Sequence, residues 1–247
     1  MLDLKDKISI LVAHTESDDV LKHFYQQATN AVTTRILKQD PGYAERFTHT
    51  FPLHGESATD QVSAELHGEV LSVVRENGTE GTVEKCSRIS PENRSLVVNA
   101  DSLEFRDKFN PAYYVTNSSY SDNDTPDSKP RIYILPNPYK TSTDSQVATV
   151  TQIMYQVSGF NLSSEYVGIY SGIADHWVYP SQFHHLLELY VAIKILNRKI
   201  IQMANVEEDQ ELVDILTAAK RTYEDEYNTF FAVIKKEEPK QEGAREG

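Results

Sequence analysis

Cysteine is nearly absent: Cys86 is the one cysteine in 247 residues. An intrachain disulfide and a cysteine zinc cluster are thereby excluded. Its neighbours Lys85, Ser87 and Arg88 supply no base, so Cys86 reads as a buried or half-buried strand thiol rather than a nucleophile. Long apolar runs are missing too, and nothing approaches the roughly 18 residues that a membrane helix needs. The apolar-leaning stretch 8–13 leads into His14-Thr15-Glu16, too short and wrongly flanked for a secretory signal. The Asn-X-Ser/Thr triplets at Asn77, Asn93, Asn117, Asn123 and Asn161 therefore read as chance matches, and synthesis in a cytoplasm is expected.

Positive charge is scarce, with 24 Lys+Arg against 37 Asp+Glu and a net charge of −13. That balance argues against a protein built mainly to grip nucleic acid, which needs clustered bases facing phosphates. It leaves open a protein that sits beside DNA and repels it. Signature motifs are lacking as well: no Gly-x-Ser-x-Gly elbow, no Gly-x-Gly-x-x-Gly and no Walker-type Gly-Lys-Ser/Thr. Adjacent His184 and His185 point about 100° apart on a helix, so they do not readily share a metal. His184 with Glu188 makes two ligands, short of a catalytic zinc set, and a helix-face pair near an interface is the plainer reading. Asp175-His176-Trp177 has the residue types of an acid–base couple but no flanking motif; a loop anchored by a buried Trp is expected. Acids are abundant, yet no spacing singles out a pair for glycoside hydrolysis. The chain reads as non-enzymatic, with no catalytic residue, cofactor or metal.

What is present is helical at both ends and β-rich between. A short helix is expected over residues 3–13, and a second from Thr15 or Ser17, with Glu16, Asp18 and Asp19 in its first turn. Leu21, Phe24, Tyr25, Ala28, Val32 and Ile36 recur at helical spacing until Asp40-Pro41-Gly42 turns the chain. From Phe47 onward the runs become short and β-branched: residues 70–74 and 82–86 form a hairpin around Asn77-Gly78, with further strands at 112–115, 131–135 and 147–157. Short connections suggest an antiparallel meander, and 117–130 reads as a mobile loop. Tyr179-Pro180-Ser181 opens a helix that is apolar on several faces and should lie deep. Asn205 with Glu208 resembles a capping box for the last helix, whose stripe runs through Leu212, Ile215, Leu216, Ala219, Tyr223, Tyr227, Phe230, Phe231 and Ile234. The expected class is α+β. Residues 1–46 supply the N-terminal helices, 47–160 the antiparallel β-rich insertion and 161–234 the helices that complete a bundle. Residues 235–247, half charged and with Pro239, form a flexible arm that does not fold alone.

Between Asn205 and Asn228 stand eight acids, Glu207, Glu208, Asp209, Glu211, Asp214, Glu224, Asp225 and Glu226, against Lys220 and Arg221. Their local net of −6 is almost half the chain's total. Such a run is either a solvated helix face or a surface that repels a polyanion or meets a basic partner.

Three stretches carry a family resemblance. The first is Val70-Leu71-Ser72-Val73-Val74-Arg75, a turn, and Glu84-Lys85-Cys86-Ser87-Arg88-Ile89. The second joins Asp101-Ser102-Leu103, Asn110-Pro111-Ala112-Tyr113-Tyr114-Val115 and Ile132-Tyr133-Ile134-Leu135-Pro136-Asn137-Pro138. The third is Tyr179-Pro180 entering Leu186-Leu187-Glu188-Leu189-Tyr190-Val191-Ala192-Ile193-Lys194, then an acidic linker and a long last helix. Together, over about two thirds of the chain, they resemble the head-to-tail adaptor (connector) proteins of tailed bacteriophages, including the tail-tubular type. The long polar loop at 117–130 departs from the family's compact form.

The resemblance implies a virion structural protein in the neck, assembled in the host cytoplasm as a homo-oligomeric ring, commonly twelvefold. It would link the phage portal protein to the next tail or neck protein and pass DNA without sequence-specific binding. The C-terminal extension would dock into the portal, which makes Lys235, Lys236, Glu237, Glu238, Pro239 and Lys240 the candidate portal-binding arm. The eight acids of 207–226 would be candidates to face the lumen. A tail-completion or terminator ring is the neighbouring alternative. A carboxylate-dependent glycan-processing enzyme and a receptor-binding tail module are alternatives of other classes.

Overall fold

The computed structural model describes residues 3–13, 16–78, 81–117, 130–142, 144–155, 162, 168–169, 177–204 and 210–234. In chain order, the elements begin with helices α1 (Leu4–Val12) and α2 (Asp18–Gln39). Strands β1 (Thr48–Leu53), β2 (Ser63–Glu65), β3 (Gly68–Glu76), β4 (Val83–Lys85) and β5 (Ser87–Arg88) follow. Then come α3 (Arg94–Val98), β6 (Ala112–Thr116), β7 (Arg131–Leu135) and β8 (Ala148–Met154). The short strands β9 (Gly168–Ile169) and β10 (Trp177–Val178) precede the helices α4 (His184–Ala204) and α5 (Gln210–Ile234). The fold is α+β. Met1–Phe47 and Gln156–Gly247 make one compact unit, and Thr48–Tyr155 makes the other.

In the helical unit, local chemistry sets the helix starts. The Asp3 carboxylate caps α1 by accepting the Asp6 N–H at 2.8 Å. Ser17 takes the N-cap position of α2, with Asp18 and Asp19 in the first turn. α2 ends at Asp40, whose carboxylate accepts the Gly42 N–H at 2.8 Å and shapes the turn. α4 is the central element: Leu186, Leu187, Leu189, Val191, Ala192, Ile195 and Leu196 are buried, and α1, α2 and α5 all pack on it. Apolar residues on several sides of one helix need neighbours on several sides. Buried polar groups in this core have partners. Tyr25 OH donates to the Leu4 carbonyl at 3.3 Å, and the Thr33 and Tyr179 hydroxyls lie 3.0 Å apart. Phe47 stacks on Phe183 at 5.4 Å, closing the unit beneath the start of α4.

In the β unit, two four-stranded sheets run β1-β8-β3-β4 and β2-β7-β6-β5. The β3–β4 and β6–β7 pairs join strands adjacent in sequence. The rest differ from a meander. β8 lies between β1 and β3, and β5 pairs with β6 in parallel. The reason is burial: β8 is largely buried along its length, which suits a central position. β1 carries Pro52, which an edge strand tolerates. Leu53, Val73, Ala148 and Val150 of one sheet meet Tyr113, Ile132 and Ile134 of the other, and Leu66 and Cys86 complete the core. Gly68 begins β3 against Met154, where a Cβ would collide with the Ile153 carbonyl oxygen.

Candidate functional site

The apolar stripe of α5 is wider than its own unit covers. Phe231 is the one side chain of this helix that is fully buried, at 1% exposure. The Arg35 guanidinium lies 4.0 Å over its ring, and Tyr227 meets it edge-on at 5.0 Å. Arg35 Nη2 also donates to Asn228 Oδ1 at 3.0 Å, and Tyr223 OH donates to the Leu11 carbonyl at 2.7 Å. These contacts fix one side of α5 to α2 and α1. Ile215, Phe230 and Val233 remain 58%, 39% and 58% exposed. Helical geometry places the three within about 60° of one another.

The acids around α5 do not form one face. Glu211, Asp214 and Asp225 are exposed, and they project within about 60° of one another. The Gln210 side-chain amide donates to Asp214 at 3.2 Å. Glu224 is instead 3.6 Å from Lys220, and Glu226 meets His185 Nε2 at 2.9 Å. Two of the expected lumen acids are thus paired with bases of their own unit. Glu207, Glu208 and Asp209, and the arm residues Lys235, Lys236, Glu237, Glu238, Pro239 and Lys240, lie outside the described residues.

A second apolar set lies on the β unit, in residues 94–109. Leu96, Val98, Phe105 and Phe109 are 47%, 59%, 40% and 60% exposed, and Leu103 is wholly exposed. The backbone that presents them is tied down. Asn99 Oδ1 accepts the Asp101 N–H at 3.1 Å, Asp107 Oδ1 accepts those of Phe109 and Asn110 at 2.9 and 3.0 Å, and Arg106 N donates to the Val97 carbonyl at 2.9 Å. Beside this segment, Gln61, Arg94, Tyr114 and Tyr133 line a cavity of 590 Å³, with no carboxylate among the described residues of its wall. Sequence reasoning gave residues 94–109 no secondary-structure element and used only Asp101-Ser102-Leu103 of them, in the family resemblance. The available signal was six large apolar residues, Leu96, Val97, Val98, Leu103, Phe105 and Phe109, scattered without period among turn formers.

The other candidates settle into ordinary roles. His184 Nε2 lies 2.8 Å from the Tyr179 carbonyl, and burial holds its pKa below the usual value, partly offset by that bond. Glu188 does not pair with His184; it lies 3.2 Å from Lys7 and 3.7 Å from His185. Cys86 is buried between β4 and β5, its thiol pushed up to about 12 by burial, so thiolate chemistry is suppressed. Asp175 and His176 lie outside the described residues. Among the described residues no group of three or more His, Cys, Asp or Glu is placed to hold a metal, and no helix is long and apolar enough to cross a membrane. No protein-family model and no curated protein sequence matches this chain.

Proposed function

We propose that this chain is a non-enzymatic virion structural protein, a ring-forming head-to-tail adaptor that joins a phage portal to the tail and surrounds the DNA path. The observation that carries the reading is the uncovered apolar surface on both units. Residues 94–109 present Leu103 and Phe109, and α5 presents Ile215 and Val233. Large apolar groups held out by an ordered backbone are what subunit contacts bury. The α+β build, with helices from both ends of the chain around a β-rich insertion, supports the same reading through the resemblance described above.

On this reading, copies pack side by side through the exposed apolar sets, and the arm at 235–247 docks into the portal. A segment that orders only on its partner can bury a large area for its length. The exposed acids Glu211, Asp214 and Asp225 present negative charge that keeps passing DNA from sticking. Native mass spectrometry of the full chain, alone and with its cognate portal, tests the proposal. Rings, or a multi-copy complex on the portal, are expected. A monomer in both samples with no portal association overturns it.

A further inference from the structure

The 590 Å³ cavity of the β unit lies between residues 91–98 and one side of the β6–β7 pair, which presents Tyr114, Tyr133 and Leu135. Tyr114 and Tyr133 are directly opposite across that pair, and their rings stack at 5.0 Å. Pro91, Val98 and Leu135 make the wall partly apolar. Arg94 is the one charged side chain among the described residues of the wall, and it is exposed. With Gln61 it holds the Tyr114 hydroxyl, a neutral group, and no described carboxylate pairs with it. The exposed acids of this stretch, Glu92, Asp101, Glu104 and Asp107, are not part of the wall.

The outer side of α5 carries the opposite charge. Glu211, Asp214, Ile215 and Ala218 are exposed, and their i, i+3, i+4, i+7 spacing puts them on one side of the helix. Glu211 and Asp214 have no cationic partner among the described residues; the Gln210 amide is what Asp214 accepts. The bases of this helix lie elsewhere: Lys220 is 3.6 Å from Glu224, and Arg221 stands about two turns beyond Asp214. Two copies of this side set face to face would oppose like charges. A concave surface free of acids, with a base on its wall, complements it instead. Amphipathic helices enter grooves with this same spacing, their apolar residues seated inside.

We propose that the groove between residues 91–98 and the β6–β7 pair receives the first half of α5 from a neighbouring copy of the chain. Ile215 seats against Val98 and Leu135, and Glu211 and Asp214 meet Arg94. The proposal rests on the self-association of the adaptor reading and names its contact. Native mass spectrometry of the full chain, alone and on the cognate portal, tests it with two charge-reversed variants. One carries Glu211→Lys with Asp214→Lys and the other Arg94→Glu, all at exposed positions, and circular dichroism checks that each folds. Each variant by itself should associate about tenfold or more weakly than wild type, as loss of a charged hydrogen bond does. Mixed in equal amounts, the two should regain wild-type association in assemblies holding equal numbers of both, because every contact again joins opposite charges. Val98→Trp, at a position 59% exposed, fills the groove without changing charge and should weaken association too; it decides the question if Arg94→Glu does not fold. Undiminished association in Val98→Trp or in either reversed variant, or a mixture that regains nothing, overturns this contact while wild-type rings keep the adaptor reading standing. A wild-type chain that is monomeric alone and with portal overturns both.

Discussion

Phe231→Ala and Phe230→Ala alter neighbouring residues of one helix and should have very different effects. Phe231 is 1% exposed, and truncating a buried Phe costs about 3–5 kcal/mol through lost transfer energy and the cavity left behind. The Arg35 guanidinium 4.0 Å above its ring loses its aromatic face as well, about 0.5–1 kcal/mol more. At roughly 2–4 °C per kcal/mol, a loss near 4 kcal/mol lowers the Tm of the helical unit by roughly 8–16 °C. Phe230 is 39% exposed and touches the His185 ring at 5.2 Å. It stands to lose only part of a Phe burial energy, about 1–2 kcal/mol. Scanning calorimetry with urea titration followed by circular dichroism measures both variants. Equal shifts, or a Phe231→Ala loss under about 1 kcal/mol, would refute the one-sided anchoring of α5.

Three further outcomes are expected. Gly68→Ala forces a methyl group onto the Ile153 carbonyl at the β3–β8 pair, and should lower the stability of the β unit, followed by urea titration, by about 1–3 kcal/mol. His184 has a folded-state pKa depressed chiefly by burial, with Lys7 lowering it and Glu188 opposing. The unfolded chain therefore binds that proton first, so stability is full above about pH 6.5 and falls as pH drops toward the folded value. Urea midpoints across that range should fall less in His184→Gln, and an unchanged slope contradicts the assignment. Leu103→Asp with Phe109→Asp, at exposed positions, should change Tm little while abolishing self-association in sedimentation velocity. Intact association would remove residues 94–109 from the interface.

Local chemistry made much of this fold legible. The Asp3 carboxylate caps the first helix and Asp40-Pro41-Gly42 ends the second, while Ser17 holds the N-cap position of the second through its extended backbone. The strand expected at 131–135 is β7, and the hairpin around Asn77-Gly78 is β3–β4. What stayed hidden is non-local. Pro52 disguised β1, and nothing in two residues at Ser87–Arg88 announces a parallel partner. Exposure was the harder matter. A Leu at 103 or an Ile at 215 has the same letter whether it fills a core or stands uncovered, and Arg75 reads as a surface cation although it is buried. The acidic run was plain in the sequence, but only the fold shows that Glu224 meets Lys220 and Glu226 meets His185, while Glu211, Asp214 and Asp225 share another side of α5.

Electron cryo-microscopy of the full chain mixed with its cognate portal tests the adaptor proposal most directly. The proposal predicts a closed ring of copies seated on the portal around an open channel, with residues 94–109 and the outer side of α5 buried between neighbouring subunits. Portal particles with no added density, alongside free monomers of this chain, would contradict it.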